Sequence, residues 1–389
     1  MRERLSFHCY KSCQFLGINF YTCFLGRFAG EEVRKEVWLG GLFGIEKRLD
    51  PPRGKRMKKF YIASCPIWEW GKQAGYKTYS VLSKEVLRSS LLSSMLNKYR
   101  FQLTGADHIY LLNSNLGELY LFLSCFLLAM MKRDNVQKPV FVTDRKYHFA
   151  LFRLLIPQAK TIKIDKVISE VVDKHFVFEG IPCTILYTSS FFIDSWKKLL
   201  KGQGNFFDSL SQEVGLAPSE LELNPVRFSE TLRRKVHQVI GDLHLNLERL
   251  IFLAPEANSC RSLHKKEVFE LVKNLKEKGW SIFLNTAKSD MQNIVPGMVS
   301  SPLSVDEAIY LASLSKHIIA VRSGLLDALV HLPVTIHVIN TPMKGLHAYI
   351  PSDLVAKGWD LNTVAFKKAH IFPYIYTQDI ISQILSHID

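Results

Sequence analysis

The sequence lacks the features that mark several classes of protein. No apolar run is long enough to span a bilayer; the longest, Leu119 to Met131, has 13 residues and suits a buried helix. The seven cysteines form no CxxC pair and have no histidines at metal-binding spacing. Nucleic-acid-binding signatures are also missing. We therefore expect no transmembrane helix, no disulfide framework, no zinc module and no nucleic-acid partner.

A signal-peptide pattern is also lacking near the N-terminus. Arg27, Glu31, Glu32 and Arg34 interrupt any apolar core that a secretory signal would need. Together with the scattered cysteines, this predicts a cytoplasmic protein.

The composition is that of a folded protein with a locally basic start. A chain of 389 residues with 47% apolar and 22% charged residues has room for two domains with separate cores. Half of the net charge of +14 comes from residues 1–60, which carry 13 Lys/Arg against 6 Asp/Glu. This basic region is the expected site of any peripheral contact with the inner face of the plasma membrane, or of an anionic substrate.

Residues 1–75 differ from the rest of the chain. Three short aromatic segments, at 15–20, 42–45 and 61–68, are broken by glycine or proline and predict β-hairpins with basic ends. They resemble stretches that precede the catalytic region in many bacterial surface-polysaccharide glycosyltransferases. A β-rich appendage that covers a sheet edge and one that docks on a membrane or partner both fit, and Met57 is an alternative start.

From residue 76 the pattern alternates between strands and helices, which predicts two α/β domains with parallel sheets at 76–235 and 236–375. The linker is expected near 225–246, and Thr377 to His387 forms an amphipathic helix. The predicted strands are His108–Leu112, Pro139–Thr143, Thr161–Ile164, Pro182–Tyr187, Leu250–Ala254, Trp280–Asn285, His317–Val321 and Val334–Ile339. The predicted helices are Glu118–Lys132, Tyr147–Leu155, Lys265–Lys278, Val305–Leu314 and Leu325–Leu332.

Ligands of open α/β sheets bind at the carboxyl ends of the strands, so the loops after strands are the candidate sites. The strand at 317–321 runs into Arg322, Ser323, Gly324, Leu325 and, one turn on, Asp327. Glycine allows backbone N–H groups to approach a phosphate, and Arg322 adds a cation. A diphosphate site and an ordinary helix cap with Arg322 in a salt bridge are equally compatible with this turn.

Two further loops carry polar side chains in similar positions. The loop after the strand at 250–254 contains Glu256, Asn258, Ser259 and Arg261, which suit the opposite side of a diphosphate or a solvated loop. The turn after the strand at 108–112 contains Asn113, Asn115, Gly117 and Glu118. Glu118 there suits either a general base for an acceptor hydroxyl or a residue that complements the helix dipole.

Over about residues 105–345, the sequence resembles the heptosyltransferase-like bacterial glycosyltransferases in the order of these three loops. The resemblance implies a GT-B fold: two Rossmann-like domains facing a cleft, with the helix at 376–389 packing back on the first domain. It implies that Glu118 is the catalytic base and that Asn258, Ser259, Ser323, Gly324 and Leu325 hold the donor. The segment 307–313 resembles the stretch whose acid holds the nucleoside ribose in many two-domain transferases, so Glu307 is either a ribose ligand or a glutamate on a helix surface.

Two departures separate the sequence from the family pattern. A Gly-Asp turn becomes Gly117-Glu118, and the D-[ST]-G-x-x-H motif reads R-S-G-L-L-D from Arg322 to Asp327. The resemblance implies transfer of a sugar from a nucleotide-diphosphate sugar to a saccharide or glycolipid acceptor in surface-polysaccharide or lipopolysaccharide synthesis. Asn113, Asn115 and Gly117 are the acceptor-side candidates. With no DxD triplet in the sequence, metal-independent transfer without a cofactor is expected. The resemblance implies that the transfer inverts the anomeric centre. A fucosyltransferase-like enzyme, an epimerase-like enzyme and a non-catalytic scaffold stay open.

Overall fold

The computed structural model describes five short strands between residues 6 and 61, and then residues 92–164 except 94, 175–187, 201–286, 291, 294, 303–344 and 350–388. By the density of its contacts, the chain divides into two units, Met1–Ile109 with Lys166–Ile185 and Tyr110–Asp165 with Leu186–Asp389. This division cuts through two strands of the first α/β sheet, His108–Asn113 and Ile181–Tyr187. It therefore does not test the boundaries predicted at 75/76 and 235/236.

The N-terminal strands are short and antiparallel. They are β1 (Ser6–Phe7), β2 (Phe24–Leu25), β3 (Val37–Leu39), β4 (Phe43–Ile45) and β5 (Phe60–Tyr61). β1 pairs with β2, and β4 pairs with both β3 and β5. Two of the three aromatic segments thus contribute to strands of a β-rich region, whereas the segment at 15–20 lies outside the described residues.

The first α/β sheet has five strands in the order β8-β7-β6-β10-β9. The strands are β6 (His108–Asn113), β7 (Pro139–Thr143), β8 (Lys160–Lys163), β9 (His175–Phe178) and β10 (Ile181–Tyr187). β7 and β8 are parallel, whereas β9 and β10 form an antiparallel hairpin that was not predicted. The accompanying helices are α1 (Arg100–Leu103), α2 (Leu116–Leu121), α3 (Leu127–Arg133) and α4 (His148–Leu155).

The helix predicted as continuous from Glu118 to Lys132 is interrupted. A π-helical turn, Phe122–Phe126, separates α2 from α3. Its backbone is satisfied from outside: the Asn224 side chain donates to the carbonyls of Leu123 and Leu155, and the Asn224 N–H donates to the carbonyl of Ser124. A π-turn displaces the hydrogen bonds of the helix, and here a residue far away in the chain binds the displaced groups. Hydrophobic periodicity is a local pattern, so it could not predict this interruption.

The second sheet has five strands in the order β12-β11-β13-β14-β15, and all neighbouring pairs are parallel. Its strands are β11 (Leu250–Ala254), β12 (Ser281–Leu284), β13 (His317–Val321), β14 (Thr335–Asn340) and β15 (His370–Ile375). Sequence analysis missed β15 because it is an edge strand that contains Pro373 and has alternating burial.

Seven helices in the described residues follow the first sheet or surround the second. They are α5 (Phe206–Val214), α6 (Glu230–Asp242), α7 (Lys265–Glu277), α8 (Val305–Ser313), α9 (Gly324–Leu329), α10 (Ser352–Gly358) and α11 (Ile380–Leu385). Helix α6 occupies the segment predicted as a linker. It is capped by Ser229, and its Val236 and Ile240 are buried in the core beside α8.

The C-terminal helix packs elsewhere than expected. The resemblance implied that it returns to the first domain, but the buried Ile380, Ile381 and Ile384 of α11 pack with α7 and β15 in the core of the second sheet. Lys278 reinforces this position by donating to the carbonyls of Leu385 and Ile388. Within the part of the chain that the structure describes, no helix is long and apolar enough to cross a membrane.

Candidate functional site at the carboxyl ends of the strands

Two glycines bring the turns after β6 and β13 into direct contact. A Cβ added to Gly117 would overlap with Asp327 Oδ2 and lie 2.9 Å from the Cα of Gly324. A Cβ added to Gly324 would lie 2.5 Å from the Gly117 backbone nitrogen. Because only glycine allows so close an approach, the first turns of α2 and α9 meet backbone to backbone.

Glu118 lies immediately after this contact, in the first turn of α2. Its side chain is 9% exposed, and its Oε2 accepts the Asn115 N–H at 2.9 Å. This is the capping-box arrangement, in which an acid at the third helical position satisfies an otherwise unpaired N–H group. The structure thus gives Glu118 a capping contact, and its role as a base stays a prediction.

Arg322 is buried in an ion pair. Its guanidinium binds both carboxylate oxygens of Asp327, at 2.6 and 3.1 Å, and donates to the carbonyls of Ser323 and Trp359. Both side chains are about 95% buried. Burial raises the pKa of Asp327, and the guanidinium opposes that rise. The structure therefore places Arg322 in a salt bridge, one of the two alternatives, and its contact with a donor is untested.

A polar network surrounds the turn after β6. Arg145, which follows β7, donates to Asn113 Oδ1 at 2.6 Å, to Asn115 Oδ1 at 3.4 Å and to the Tyr147 hydroxyl. The Tyr147 hydroxyl donates to the carbonyl of Ser114. Asn113 is buried, Asn115 is exposed, and the guanidinium is held by neutral side chains.

His148 is also hydrogen-bonded to the turn after β6. Its Nε2–H donates to the Ser114 carbonyl at 2.9 Å, so its Nδ1 accepts from the Thr143 hydroxyl at 2.6 Å. Burial, with a smaller contribution from Arg145, lowers the pKa of His148 to about 4, although the hydrogen bond to Ser114 opposes the shift. The ring is therefore neutral near pH 7 and acts as a fixed donor and acceptor.

The loop after β11 is hydrogen-bonded to the segment after β14. Cys260 forms a β-bridge with Met343, and the Lys344 N–H donates to the carbonyl of the exposed Ser259. The Lys344 ammonium donates to the carbonyl of Ala257 at 2.7 Å and contacts the Ser262 hydroxyl. Lys344 thus fixes the shape of the predicted donor loop.

The rest of this loop has further partners. The Arg261 guanidinium lies over the Tyr376 ring and donates to its hydroxyl, and Glu256 accepts a hydrogen bond from Thr286 at 2.9 Å. Asn258 is exposed. Burial raises the pKa of Cys260, whereas Arg322 and Lys344 lower it, so both cations lie within electrostatic reach of the loop.

Glu307, the ribose candidate, is engaged by protein groups. It accepts the Ser304 N–H at 2.7 Å and forms an ion pair with Lys235. Burial opposes its ionisation, but the hydrogen bonds from Lys235 and Ser304 outweigh burial and lower its pKa. These contacts give Glu307 a capping role at the start of α8, and the ribose contact stays a prediction.

The predicted residues fall into groups at the carboxyl ends of the strands. The glycine contact joins the turn with Gly117 and Glu118 to the turn with the half-buried Ser323, Gly324 and Leu325. The neighbouring strand β11 is followed by the loop with Glu256, Asn258, Ser259 and Arg261. Sequence analysis missed Arg145, Tyr147 and Lys344, although each follows a strand in the same way. Among the described residues, no group of three or more metal-ligating side chains comes together.

Comparisons with known proteins give structural similarities at low sequence identity. No protein-family profile matches the chain, and no curated protein matches it. The structure is similar to that of a glycosyl transferase family 9 protein from Veillonella parvula, with 12% identity, 73% of this chain and 91% of that chain covered, and a TM-score of 0.48. Escherichia coli ADP-heptose LPS heptosyltransferase II shows 12% identity, coverages of 72% and 97%, and a TM-score of 0.41.

A third similar structure is the iron-containing dodecameric glycosyltransferase TibC from enterotoxigenic E. coli. Its identity is 15%, 60% of this chain and 59% of that chain are covered, and the TM-score is 0.38. At these identities and TM-scores, the function has to be argued from the residues of the site.

Proposed function

We propose that the protein is a GT-B-type glycosyltransferase that transfers a sugar from a nucleotide-diphosphate sugar to a saccharide or glycolipid acceptor. One observation carries the proposal: the turn that bears Glu118 touches the turn that bears Gly324. This contact brings the carboxyl end of β6 to that of β13, where α/β sheets bind their ligands. Had the two turns lain on opposite faces of the molecule, no single substrate could contact both.

On the donor side, the diphosphate lies beside Gly324 and along the loop at 255–262. It does not lie between the two glycines, since their backbones leave no room there. Arg261 and Lys344 are the cations beside this loop, and Arg322 supports the turn through Asp327. Positive groups fixed in this way stabilise the charge that develops on the leaving diphosphate.

On the acceptor side, Glu118 removes the proton of the acceptor hydroxyl as the oxygen attacks the anomeric carbon. The bond between that carbon and the diphosphate oxygen breaks, and the nucleoside diphosphate leaves with the bonding electrons. Asn113, Asn115 and Arg145 orient the acceptor, because they form one hydrogen-bonded group after β6 and β7. A single displacement of this kind inverts the anomeric centre.

We further propose that transfer needs no metal and takes place in the cytoplasm, at the inner face of the plasma membrane, in bacterial surface-polysaccharide or lipopolysaccharide synthesis. The basic N-terminal region provides the membrane contact. Because TibC is described as iron-containing, the metal expectation has to be tested directly. Transfer should continue unchanged in excess chelator, and loss of activity that iron restores would contradict metal independence.

A thermal-shift screen against nucleotide-sugars tests the proposal. A ligand that binds only the folded protein stabilises it by about 2.7 kcal/mol at a concentration of 100 times Kd. We expect the melting temperature to rise with donors of one nucleotide class, and the same donors to yield free nucleoside diphosphate in a transfer assay. Well-folded protein that responds to no member of the panel and yields no product would instead support a non-catalytic scaffold.

A further inference from the structure

The partners of α2 suggest how the catalytic carboxylate is held in place. Glu118 accepts a hydrogen bond from the backbone of Asn115 in the first turn of α2. Its position relative to the second sheet depends on where α2 lies. The residues on either side of Glu118 make long-range contacts.

Before Glu118, Gly117 is pressed against the buried ion pair. Asp327 Oδ2 occupies the position that any side chain at residue 117 would need, and Arg322 holds that carboxylate from the other side. Because the carboxylate is buried and bound through both oxygens, it cannot shift without separating two charges in the interior. The start of α2 is thereby fixed against α9.

After Glu118, Tyr120 makes a second contact with the same segment. The Tyr120 hydroxyl donates to His331 Nδ1 at 3.1 Å, and His331 Nε2–H donates to the carbonyl of Ala365 at 2.9 Å. Burial lowers the pKa of His331 to about 4, so the ring is a neutral acceptor at physiological pH. Asp327 and His331 are four residues apart in the chain and bracket Glu118 between residues 117 and 120.

We propose that Asp327 and His331 are positioning residues that fix helix α2, and with it the Glu118 carboxylate, relative to the donor loops. This inference rests on the proposed function, since it assumes that Glu118 is the base. A helix fixed at two points one turn apart cannot rotate about either point. A small displacement of a reacting group costs on the order of 10- to 100-fold in rate, so such fixing matters for transfer.

The experiment compares two matched pairs of variants in the full chain. Tyr120→Phe removes only the hydroxyl that binds His331, and Tyr310→Phe removes a similar tyrosine–histidine hydrogen bond, to His237 at 3.3 Å, away from α2. Asp327→Asn and Asp306→Asn each remove a buried carboxylate that binds an arginine, and Asp306 binds Arg153 on α4. If Asp327→Asn does not fold, the tyrosine pair still decides.

Two readouts are measured. Hydrogen exchange of a peptide covering 116–121 should become faster in Tyr120→Phe and Asp327→Asn but not in their controls, with β12 unchanged in all four. In transfer assays the two test variants should lose about 10-fold or more in kcat. The donor KM should stay unchanged in Tyr120→Phe, whose residue lies outside the donor turn, and the pH profile should keep its shape. Equal exchange in test and control variants, or a change confined to KM, would overturn the positioning role.

These outcomes are separate from those that test the proposed function. If Glu118→Gln transfers sugar as fast as the unmodified protein, the base assignment fails whatever the exchange data show. If Glu118→Gln is inactive but Tyr120→Phe matches Tyr310→Phe in both readouts, the base assignment stands and the positioning proposal fails.

Discussion

At the scale of single residues, the first and sixth residues of the turn after β13 bind each other. Arg322 is the first and Asp327 the sixth. Those two side chains form the buried ion pair. A cation at the first position and an acid at the sixth are thus two halves of one interaction.

Removing one member of this pair should destabilise the fold strongly. Arg322→Met leaves the Asp327 carboxylate buried without its counter-ion, which costs roughly 3–5 kcal/mol. The double variant Arg322→Met/Asp327→Leu should lose less than the sum of the single changes. Urea unfolding of all four proteins checks this, and a double variant whose loss equals that sum would show that the pair is not coupled.

The glycine contact gives a second prediction for single residues. Gly117→Ala places a methyl group on Asp327 Oδ2, and overpacking of this kind costs roughly 1–3 kcal/mol. Gly241→Ala is the control, because Gly241 lies in helix α6 and has open space around its Cβ position. In denaturant unfolding, the control should gain up to about 1 kcal/mol from helix propensity. Equal stabilities for the two variants would contradict the close approach.

At the scale of helices and strands, much of the second sheet is predictable from sequence. Four of its strands, β11 to β14, are short buried runs, and each predicted strand lies within one residue of the observed bounds. The exposed edge strand β15 could not be found in this way, because Pro373 and its alternating burial weaken the signal.

The site was only partly predictable, because local sequence patterns locate its loops but not the contacts between them. The loops after strands identified Glu118, Ser323 and Gly324 as candidates, but the backbone contact between Gly117 and Gly324 joins turns far apart in the chain. Local patterns carry no information on such pairing. The same rule, applied to β7 and β14, would have added Arg145 and Lys344.

Lys344 gives a prediction about the donor loop. Lys344→Met removes the ammonium that binds the carbonyl of Ala257, so the loop at 255–262 should become more mobile and the donor KM should rise on the order of 10-fold. Lys367→Met is the control, because Lys367 binds only Asn362 in the described contacts and lies on an exposed segment. Steady-state kinetics with varied donor check this, and equal KM values for both variants would exclude the role.

At the scale of the whole molecule, buried neutral histidines couple stability to pH. Burial lowers the pKa of His148 and His331 to about 4. Burial, together with the nearby His317, His387 and His370, lowers the pKa of His337 to about 3. In the unfolded chain these rings have a pKa near 6.5. The stability from keeping them neutral is thus fully present above about pH 6.5 and is lost as pH falls toward 4.

This coupling predicts acid sensitivity. Between pH 7.5 and pH 5, one such histidine costs the folded state about 2 kcal/mol, because the unfolded state binds a proton that the folded state does not. His337→Phe removes one titrating ring, so it should lose less stability over this range than the unmodified protein. Urea unfolding at both pH values checks this, and identical pH dependence in the two proteins would contradict the assignment.

The proposed transferase activity depends most on Glu118. Glu118→Gln keeps a carbonyl oxygen that can accept the Asn115 N–H, so the start of α2 should be preserved while the base is lost. The decisive measurement is the rate of sugar transfer by this variant at saturating donor. We predict a loss of about 100-fold or more with donor affinity unchanged. A folded Glu118→Gln protein that transfers sugar at the original rate would contradict the account.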